Sequence, residues 1–398
     1  MSDIKTIRLT ALDTLFFKEA RPFETIGGSE LTSVFPPPPR TVIGAIRSAI
    51  GETLGADWKA FNTEPDTYTI PNGRKLKDII GYGDNNLGQL SINGIWLSKN
   101  SERLYPAPAF ILRKMKDGAM DGFDSLQIGD AKVTGLGKVR LSEMPKLPKN
   151  SKMSYISAEN IWLTSEGMEK ILKGDYLLSK DEIFEKKDLF EEEPRLGIAR
   201  DNFKRIVKDG MLYQTNHIRP KTGVSIEVDI TGLDDLSLNQ GVIRIGGEGR
   251  MAGLEIVTTP KFPDKPDSKD KGLILVLLTP ARFDGNNWFP AGFVEEKEQD
   301  GRTVHKGKVN EISLTIHSAV IGKVLREGGW DVATRKPRPV QSLMPAGSAL
   351  YCTVDEDIND AITALHNKQI GEDIKLGRGH IACALWEDSI KEDKYDTI

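Results

Sequence analysis

Residues 35–50, which read FPPPPRTVIGAIRSAI, organise the first half of the chain. The four prolines fix φ and lack an amide hydrogen, so they exclude a helix interior and hold the chain extended. Directly after them, apolar residues recur at the spacing of one helix face, at Val42, Ile43, Ile46 and Ile50. The stretch therefore predicts an extended arm that leads into a helix over residues 41–50, ending near the glycines at 51 and 55.

Strand patterns lie on both sides of this helix. Residues 4–12 alternate apolar and polar side chains, and residues 88–113 contain two short apolar runs around a polar turn. In the second half, apolar runs predict four strands, at 273–279, 312–320, 348–354 and 381–386, and helical spacing predicts a helix within 357–368. With one more helix between the first two of these strands, the order becomes βαββαβ. The predicted fold class is α+β, with two ferredoxin-like (RRM-like) domains, long insertions and glycine-rich loops.

A proline-rich, charged stretch at residues 259–271 divides the chain. It contains little to bury, so we interpret it as a linker between an N-terminal domain, 1–258, and a C-terminal domain, 272–398. Residues 113–155 and 165–193 are interpreted as insertions into the first domain. The β-like runs at 211–217 and 224–230 predict a hairpin with a basic tip.

Composition limits the possible functions. The chain has 398 residues, of which 54 are Lys or Arg and 58 are Asp or Glu, so its formal net charge is −4. A uniformly basic nucleic-acid-binding protein is excluded, and any phosphate binding must come from local clusters of cations. Two cysteines are too few for a disulfide framework or a four-sulfur zinc site and fit a reducing cytoplasm. No apolar run approaches the roughly 20 residues of a membrane helix, so we expect a cytoplasmic protein that does not contact membranes.

A glycine-rich turn at residues 246–253, GGEGRMAG, is the first candidate site. Residues 247–252 formally fit the Gly-x-Gly-x-x-Ala dinucleotide fingerprint. A helix starting there would run into β-branched residues and end at Pro260, so a tight turn beside a backbone or a phosphate is favoured. Gly247, Gly249 and Arg250 are its candidate residues.

A second glycine turn precedes the final strand. In Gly377-Arg378-Gly379-His380, two glycines would let amide groups face an anion while the arginine forks onto it. Taken alone, such a turn is more often only a turn. His380 is either a catalytic base or, more often in such a place, a strand-edge histidine.

Basic residues concentrate in the segment from Arg195 to Lys221, which holds seven cations and two acids. Phe203, Tyr213 and His217 interleave with the cations, so base stacking and phosphate pairing could coexist there. A solvated surface is the alternative, and the sequence leaves the two open. Its candidate residues, with those of the smaller stretch at 335–338, are Arg200, Arg219, Lys221, Lys336 and Arg338. Trp330, after two glycines, is expected in the core rather than as a platform for a base.

Signatures of common hydrolases are missing from the sequence. It contains no His-Glu-x-x-His, no phosphate-binding Gly-x-x-x-x-Gly-Lys-Ser/Thr and no Gly-x-Ser-x-Gly, and its five histidines are dispersed. We therefore expect no metal site, no cofactor and no catalytic centre.

Several of these stretches together resemble a known family. They are 13–17 (DTLFF), 21–23 (RPF), 35–47, 246–250 (GGEGR), 345–348 (PAGS) and 377–380 (GRGH). They look like the third subunit of the type III-B CRISPR complex, called Cmr, within the RAMP superfamily. The resemblance extends through 196–202 and 210–220 and is weak in both insertions.

The resemblance implies a function. It implies two ferredoxin-like domains that cap the repeat-derived 5′ handle of the crRNA in antiviral defence. The partners would be the large polymerase-like subunit and the backbone RAMP subunits, and the subunit would have no nuclease activity of its own. It adds the two arginines of the first helix to the RNA-binding candidates, which are Arg40, Arg47, Arg200, Arg219, Lys221, Gly247, Gly249, Arg250, Lys336, Arg338, Gly377, Arg378, Gly379 and His380.

Two other functions compete with this one. A metal-independent crRNA-processing endoribonuclease of the same superfamily would use a histidine such as His217 or His380 to activate a ribose 2′-hydroxyl. A dinucleotide-binding enzyme would need the turn at 247–252 to open a helix.

Overall fold

The computed structural model describes residues 3–19, 30–83, 86–148, 151–201, 204, 206–234, 236, 238, 240–268 and 272–387, without the side chains at 199–201, 206–212 and 286. Phe203 and Arg205 of the basic segment lie outside the described residues, as does the side chain of Arg200.

The first of two large sheets is built from the N-terminal half and is antiparallel throughout. Its four central strands follow the spatial order that a ferredoxin-like sheet requires, with the first strand between the third and the fourth. From edge to edge, the N-terminal sheet consists of Ile183–Glu185, Ile161–Leu163, Glu102–Pro106, Ser91–Lys99, Val224–Thr231, Lys5–Ala11, Met251–Val257 and Gly241–Arg244.

The second sheet is built from the C-terminal half and repeats this central order. All its strand pairs are antiparallel as well. From edge to edge, the C-terminal sheet consists of Val294–Lys297, Thr303–Val309, Ile312–Val320, Ala349–Val354, Gly272–Leu277, His380–Leu385 and Lys368–Gln369.

The helices confirm part of the predicted pattern and correct the rest. The chain is α+β, and the helices are α1 (Pro39–Thr53), α2 (Trp58–Thr63), α3 (Leu76–Ile80), α4 (Ser165–Leu172), α5 (Lys186–Leu189) and α6 (Ile358–Leu365), with short 3₁₀ turns at Lys180–Glu182 and Asp284–Asn286. The helix expected between the first two C-terminal strands is wrong, because residues 278–311 form loops, a 3₁₀ turn and two strands. Within the described residues, each half therefore has one of the two helices of a full βαββαβ unit.

Three apolar clusters hold these layers together. In the strand Gly272–Leu277, Leu273 and Leu275 pack toward α6, while Ile274 and Val276 point to the opposite face. That opposite face packs against Trp96 and other apolar residues of the N-terminal half, in a cluster that both halves share. The third cluster lies between α1 and the far face of the N-terminal sheet. The order of layers is thus helix, sheet, shared core, sheet, helix.

The linker is packed rather than loose. Residues 258–268 have no regular secondary structure, as the sequence predicts, but Pro263 and Pro266 are buried. The Phe262 ring stacks on His380, with ring centroids 5.1 Å apart, and meets Tyr105 edge-on. Because these contacts join both halves, the linker is part of their interface.

The hairpin predicted for 211–230 is wrong. Strand Ile206–Pro220 pairs instead with Phe190–Asp201 in a long antiparallel ribbon, with Glu30–Leu31 added in parallel. After a turn at 221–223, the chain enters the centre of the N-terminal sheet as Val224–Thr231. Thus the two β-like runs belong to different sheets.

Small hairpins cover much of the first insertion. Their strands pair locally, and one of them, at 127–143, ends in an exposed tip where Val133 is 85% exposed. The small sheets pair Ala119–Ser125 and Met153–Ser157 with Ile111–Lys116, Gln127–Thr134 with Gly137–Glu143, Leu325–Glu327 with Gln341–Leu343, and Trp330–Asp331 with Lys336–Pro337.

Among the described residues, no helix combines the length and the apolar character needed to cross a bilayer.

Candidate nucleic-acid interface

A groove of about 1360 Å³ runs along α1 and brings together four of the candidate residues, Arg40, Arg47, Gly247 and Arg338. We call it the α1 groove. Its other lining residues include Lys18 and the indole of Trp330. Three carboxylates, those of Glu19, Glu52 and Asp331, share the lining, so its charge is mixed.

Helix α1 places both of its arginines at the groove. Pro39 occupies the first helical turn, where the missing amide hydrogen costs nothing. Arg40 and Arg47 are seven residues apart, which is about two helical turns, and so lie on one face. The Nη1 of Arg47 donates to the carbonyl of Gly83 at 3.1 Å. The helix buries its other face, so the apolar spacing seen in the sequence determines where the cations point.

Behind the groove, Arg40 joins a buried cluster of charges. Its guanidinium lies 3.8 Å from both Glu327 and Asp373. Arg378, which is 1% exposed, donates to Glu327 at 2.6 Å and to Gln341 at 3.4 Å. Burial raises the pKa of Glu327, against the opposing effect of Arg378 and Arg40. Burial also lowers the pKa of Arg378. The side chain of Arg378 thus turns inward and holds the loops behind Arg40.

The second glycine turn is tightly packed. Gly377 and Gly379 have φ of +73° and +65°, in the left-handed region. A Cβ on Gly379 would lie 1.8 Å from the carbonyl oxygen of Ile370, and one on Gly377 would lie 2.7 Å from Ile92. The packing alone requires both glycines, and their contact with RNA stays a prediction.

His380 is buried between the two halves. Its Nδ1 lies 2.8 Å from the carbonyl of Asn93, and its Nε2 lies 2.7 Å from the side-chain oxygen of Asn367. Desolvation lowers its pKa to about 4. These contacts give His380 a structural position, and its contact with RNA likewise stays a prediction.

The first glycine turn closes a hairpin rather than opening a helix. Residues 245–250 connect Gly241–Arg244 to Met251–Val257, and Gly247 N–H donates to the carbonyl of Phe16 at 2.8 Å. The dinucleotide-binding alternative is therefore wrong. Gly249 has φ of +63°, and a Cβ there would meet open space. Thus Gly247 lines the groove, and Gly249 leaves the adjoining surface uncovered.

Three arginines converge on one carboxylate next to this hairpin. Asp13 accepts hydrogen bonds from Arg195 at 3.1 Å and Arg250 at 3.2 Å and pairs with Arg219 at 3.1 Å. Glu193 bonds Arg195 and Arg219, and we call these five residues the Asp13 cluster. Although burial opposes it, the hydrogen bonds from Arg195 and Arg219 keep the pKa of Asp13 below its usual value. The cluster holds three cations and two anions, on partly exposed side chains.

A stacked pair of rings connects the Asp13 cluster to the α1 groove. Phe16 lines the groove and stacks on His217, with centroids 5.1 Å apart. His217 is 1% exposed, and its Nδ1 lies 3.0 Å from the hydroxyl of Thr14. Burial, together with the charges of Arg250 and Arg195, lowers the pKa of His217. The groove and the Asp13 cluster therefore lie close together, joined by two buried rings.

The remaining candidates are spread around this surface. Lys221 pairs with Glu191 across the ribbon, and Lys336 is exposed on the small hairpin next to Arg338. The backbone of Arg200 lies in the ribbon. Sequence reasoning did not select Lys18 and placed Trp330 wrongly in the core, since Trp330 is 57% exposed. The available signal for Lys18 was a charged residue directly after two buried phenylalanines. The signal for Trp330 was a tryptophan between turn residues.

Comparison with known proteins then identifies the family. The family model of CRISPR-associated protein (Cas_Cmr3) matches residues 7–386. The chain belongs to the Cas_Cmr3 family. The resemblance carried by the sequence motifs is thereby confirmed. The residues matched by the Cas_Cmr3 model include nearly all of both sheets, the α1 groove and the Asp13 cluster.

Solved structures similar to this Cas_Cmr3 chain are distant in sequence. One is a chain of the type III-B Cmr-beta complex bound to cognate target RNA, with 18% identity, a TM-score of 0.46, and coverage of 90% of this chain and 88% of that one. Another is from the Csm3–Csm4 subcomplex of the type III-A interference complex, with 10% identity, a TM-score of 0.39, and coverage of 96% and 99%. A third is from the Csm1–Csm4 cassette with AMPPNP, with 12% identity, a TM-score of 0.32, and coverage of 87% and 86%. No match was found among curated proteins.

Proposed function

We propose that this chain is a non-catalytic RNA-binding subunit of a type III-B CRISPR effector complex in the cytoplasm. In this proposal it caps the 5′ handle of the crRNA and docks the large polymerase-like subunit and the backbone RAMP subunits. Each sheet with its helix is a ferredoxin-like domain reduced by one helix. The observation that carries the proposal is the convergence of Arg40, Arg47, Gly247 and Arg338 on the α1 groove.

The size and charge of this surface support a polymer as ligand. Small-molecule pockets measure about 300–1,000 Å³, and the α1 groove is larger, at about 1360 Å³. On a chain with a net charge of −4, the groove and the Asp13 cluster gather six arginines and a lysine against five carboxylates. Phosphate binding depends on such local clusters.

The Asp13 cluster has spare capacity for an anion. The Nε of Arg250 is buried and has no hydrogen-bond partner among the described residues. Next to it, Gly249 leaves the hairpin without a side chain, so a phosphate can approach the backbone closely. A phosphate is an acceptor-only group. It suits the uncovered backbone at Gly249 directly, and the buried Nε of Arg250 once that side chain turns outward.

The positions of the histidines support the non-catalytic assignment. A general base must lie within hydrogen-bond reach of the proton that it removes. His217 and His380 are 1% and 6% exposed, and both are engaged with neighbouring groups. The endoribonuclease alternative would require one of these rings to be uncovered.

RNA titrations at several salt concentrations test the binding proposal. We expect Arg47→Ala and the pair Arg219→Ala/Lys221→Ala to weaken binding of handle-bearing RNA while the melting temperature stays close to that of the wild type. Each lost phosphate contact lowers the slope of log K against log salt by about 0.7 for a single strand. Lys306→Ala, in the strand next to the far edge of the C-terminal sheet, is the matched control. Unchanged affinity and slope in both variants would overturn the proposal.

Cleavage assays on the assembled complex test the catalytic assignment. We expect His217→Gln and His380→Gln to leave RNA cleavage near normal in complexes of unchanged stoichiometry. A general base contributes about 10²- to 10⁴-fold in rate. A loss of that size with intact assembly would favour the endoribonuclease.

A further inference from the structure

Trp330 occupies an unusual position at the α1 groove. It begins the short strand Trp330–Asp331, which pairs with Lys336–Pro337 to form a small hairpin. The preceding Gly329 has φ of +132°, which only glycine adopts readily, and so sets the direction of the hairpin. The indole is 57% exposed and lines the groove.

The exposure of a tryptophan at this place indicates that it binds a ligand. Tryptophan is highly buried on average, because its large ring gains much from leaving water. Within the described part of the chain, the Trp330 ring belongs to none of the aromatic pairs. These pairs include all five other tryptophans, among them Trp58 of the same groove. Trp330 therefore lines the groove as an exposed ring without an aromatic partner among the described residues.

A cation lies against Gly329, the residue that precedes Trp330. The backbone N–H of Arg338 donates to the carbonyl of Gly329 at 2.9 Å. A Cβ on Gly329 would lie 3.6 Å from Nη1 of Arg338, so the guanidinium sits next to the residue that precedes Trp330. Proteins that bind single-stranded nucleic acids combine an aromatic ring, on which a base stacks, with a nearby cation that pairs with the phosphate.

We propose that Trp330 is a stacking platform for one unpaired base of the RNA in the α1 groove, and that Arg338 binds the phosphate of the same or the adjacent nucleotide. This inference rests on the proposed function and deepens it. Every base has a π face, so the platform selects for an unstacked nucleotide rather than for a particular base. The hairpin thus fixes the register of the strand in the groove.

Combining an abasic scan of the RNA with substitutions of Trp330 tests the inference. Full-length chain and reconstituted complex are titrated with handle-bearing RNAs that carry a single abasic site at each position in turn. With wild-type protein, we expect one position to cost about 5- to 150-fold in affinity, the range for one stacked base. Trp330→Ala should show that loss with intact RNA and no further loss at that abasic position. Trp330→Phe should retain most of the affinity.

Controls separate the outcomes. Val133→Ala removes a still more exposed apolar side chain on a different hairpin and should bind like the wild type. The platform would be overturned, with the proposed function left standing, if Trp330→Ala bound with full affinity. The same holds if the affinity losses from Trp330→Ala and from the abasic site multiplied at every position. Loss of a partner subunit with RNA affinity intact would also overturn it, in favour of protein docking. Failure of the wild type to bind any handle-bearing RNA would overturn both proposals.

Discussion

At the scale of single residues, the burial of His380 makes the stability of the fold depend on pH. Its pKa is about 4 in the folded protein, against an ordinary value of 6.5, because desolvation disfavours the charged ring. Between these two values the unfolded chain binds a proton that the folded chain does not, so stability falls as the pH decreases. A neutral ring has one N–H, so it donates to the carbonyl of Asn93 or to the side-chain oxygen of Asn367 without burying a charge.

We therefore predict that lowering the pH from 7 to 4.5 costs the wild type a free energy of unfolding on the order of 2–3 kcal/mol through His380 alone. In His380→Gln this contribution should vanish, so its stability should depend less steeply on pH. Urea unfolding at four pH values measures both curves. Parallel curves for the two proteins would contradict the assignment.

Two glycines with similar backbone angles give a matched pair. Gly249 and Gly379 have φ of +63° and +65°, but a Cβ meets open space at the first and a carbonyl oxygen at 1.8 Å at the second. We predict that Gly249→Ala costs about 1 kcal/mol, the usual penalty for a left-handed alanine. Gly379→Ala should cost at least about twice that, because the turn must also move. Thermal melting of both variants gives the comparison, and equal losses would show that the contact with Ile370 is easily relieved.

At the scale of elements, the Asp13 cluster is where the first strand, the ribbon and the glycine hairpin meet. Asp13 competes with any phosphate for Arg195, Arg219 and Arg250. We predict that Asp13→Asn raises RNA affinity roughly fivefold, since an exposed pair of charges is worth up to about 1 kcal/mol. The salt dependence should steepen, while the melting temperature falls because the junction loses its central negative charge.

The same titration can be run on Asp117→Asn as a control. Asp117 is a comparably exposed carboxylate, paired with Lys152 on an outlying hairpin. Its removal should leave both affinity and slope unchanged. An equal gain for the two variants would mean that net charge, and not the cluster, controls binding.

The elements also mark how far sequence reasoning extends. Helices α1 and α6 and the apolar strands were predicted closely, because each is set by a local period. The partner of Ile206–Pro220 was not, because its pairing with Phe190–Asp201 depends on the whole ribbon. The helix expected after Gly272–Leu277 came from completing a pattern and not from the residues of 278–311. Periodicity predicts a helix or a strand but not which other element it pairs with.

The candidate site follows the same division. Local motifs found Arg40, Arg47 and Gly247, which do lie together at the groove. The motif around Arg378 could not indicate that its guanidinium is buried, since the carboxylate that holds it belongs to Glu327, 51 residues away. Trp330 was misplaced for a related reason, because the exposure of a ring depends on which hairpin carries it. Orientation of a side chain is a tertiary property.

At the scale of the whole molecule, Phe262 connects both halves through the linker. Its ring contacts His380 and His366 of the C-terminal half and Tyr105 of the N-terminal half. We predict that Phe262→Ala lowers the free energy of unfolding by about 2–3 kcal/mol, somewhat less than a fully buried phenylalanine. Asp267→Ala, in the same linker and exposed, should change it little.

Urea unfolding followed by tryptophan fluorescence and by far-ultraviolet circular dichroism measures this effect. Because the two sheets share one apolar cluster, we expect a single transition with coincident midpoints in wild type and variant. Two separate transitions in the wild type would mean that the halves unfold independently, contrary to the role of the shared cluster.

The shared cluster also has a consequence for synthesis on the ribosome. It includes Ala382, Ala384 and Trp386, so it closes only after the strand His380–Leu385 has emerged. At about 5–20 residues per second, the roughly 130 residues after the N-terminal half take about 6–25 s to translate. During that interval the nascent chain carries a finished sheet whose inner apolar face is bare. Chaperones that hold nascent chains should therefore raise the soluble yield of this protein, and slow translation through residues 259–386 should lower it.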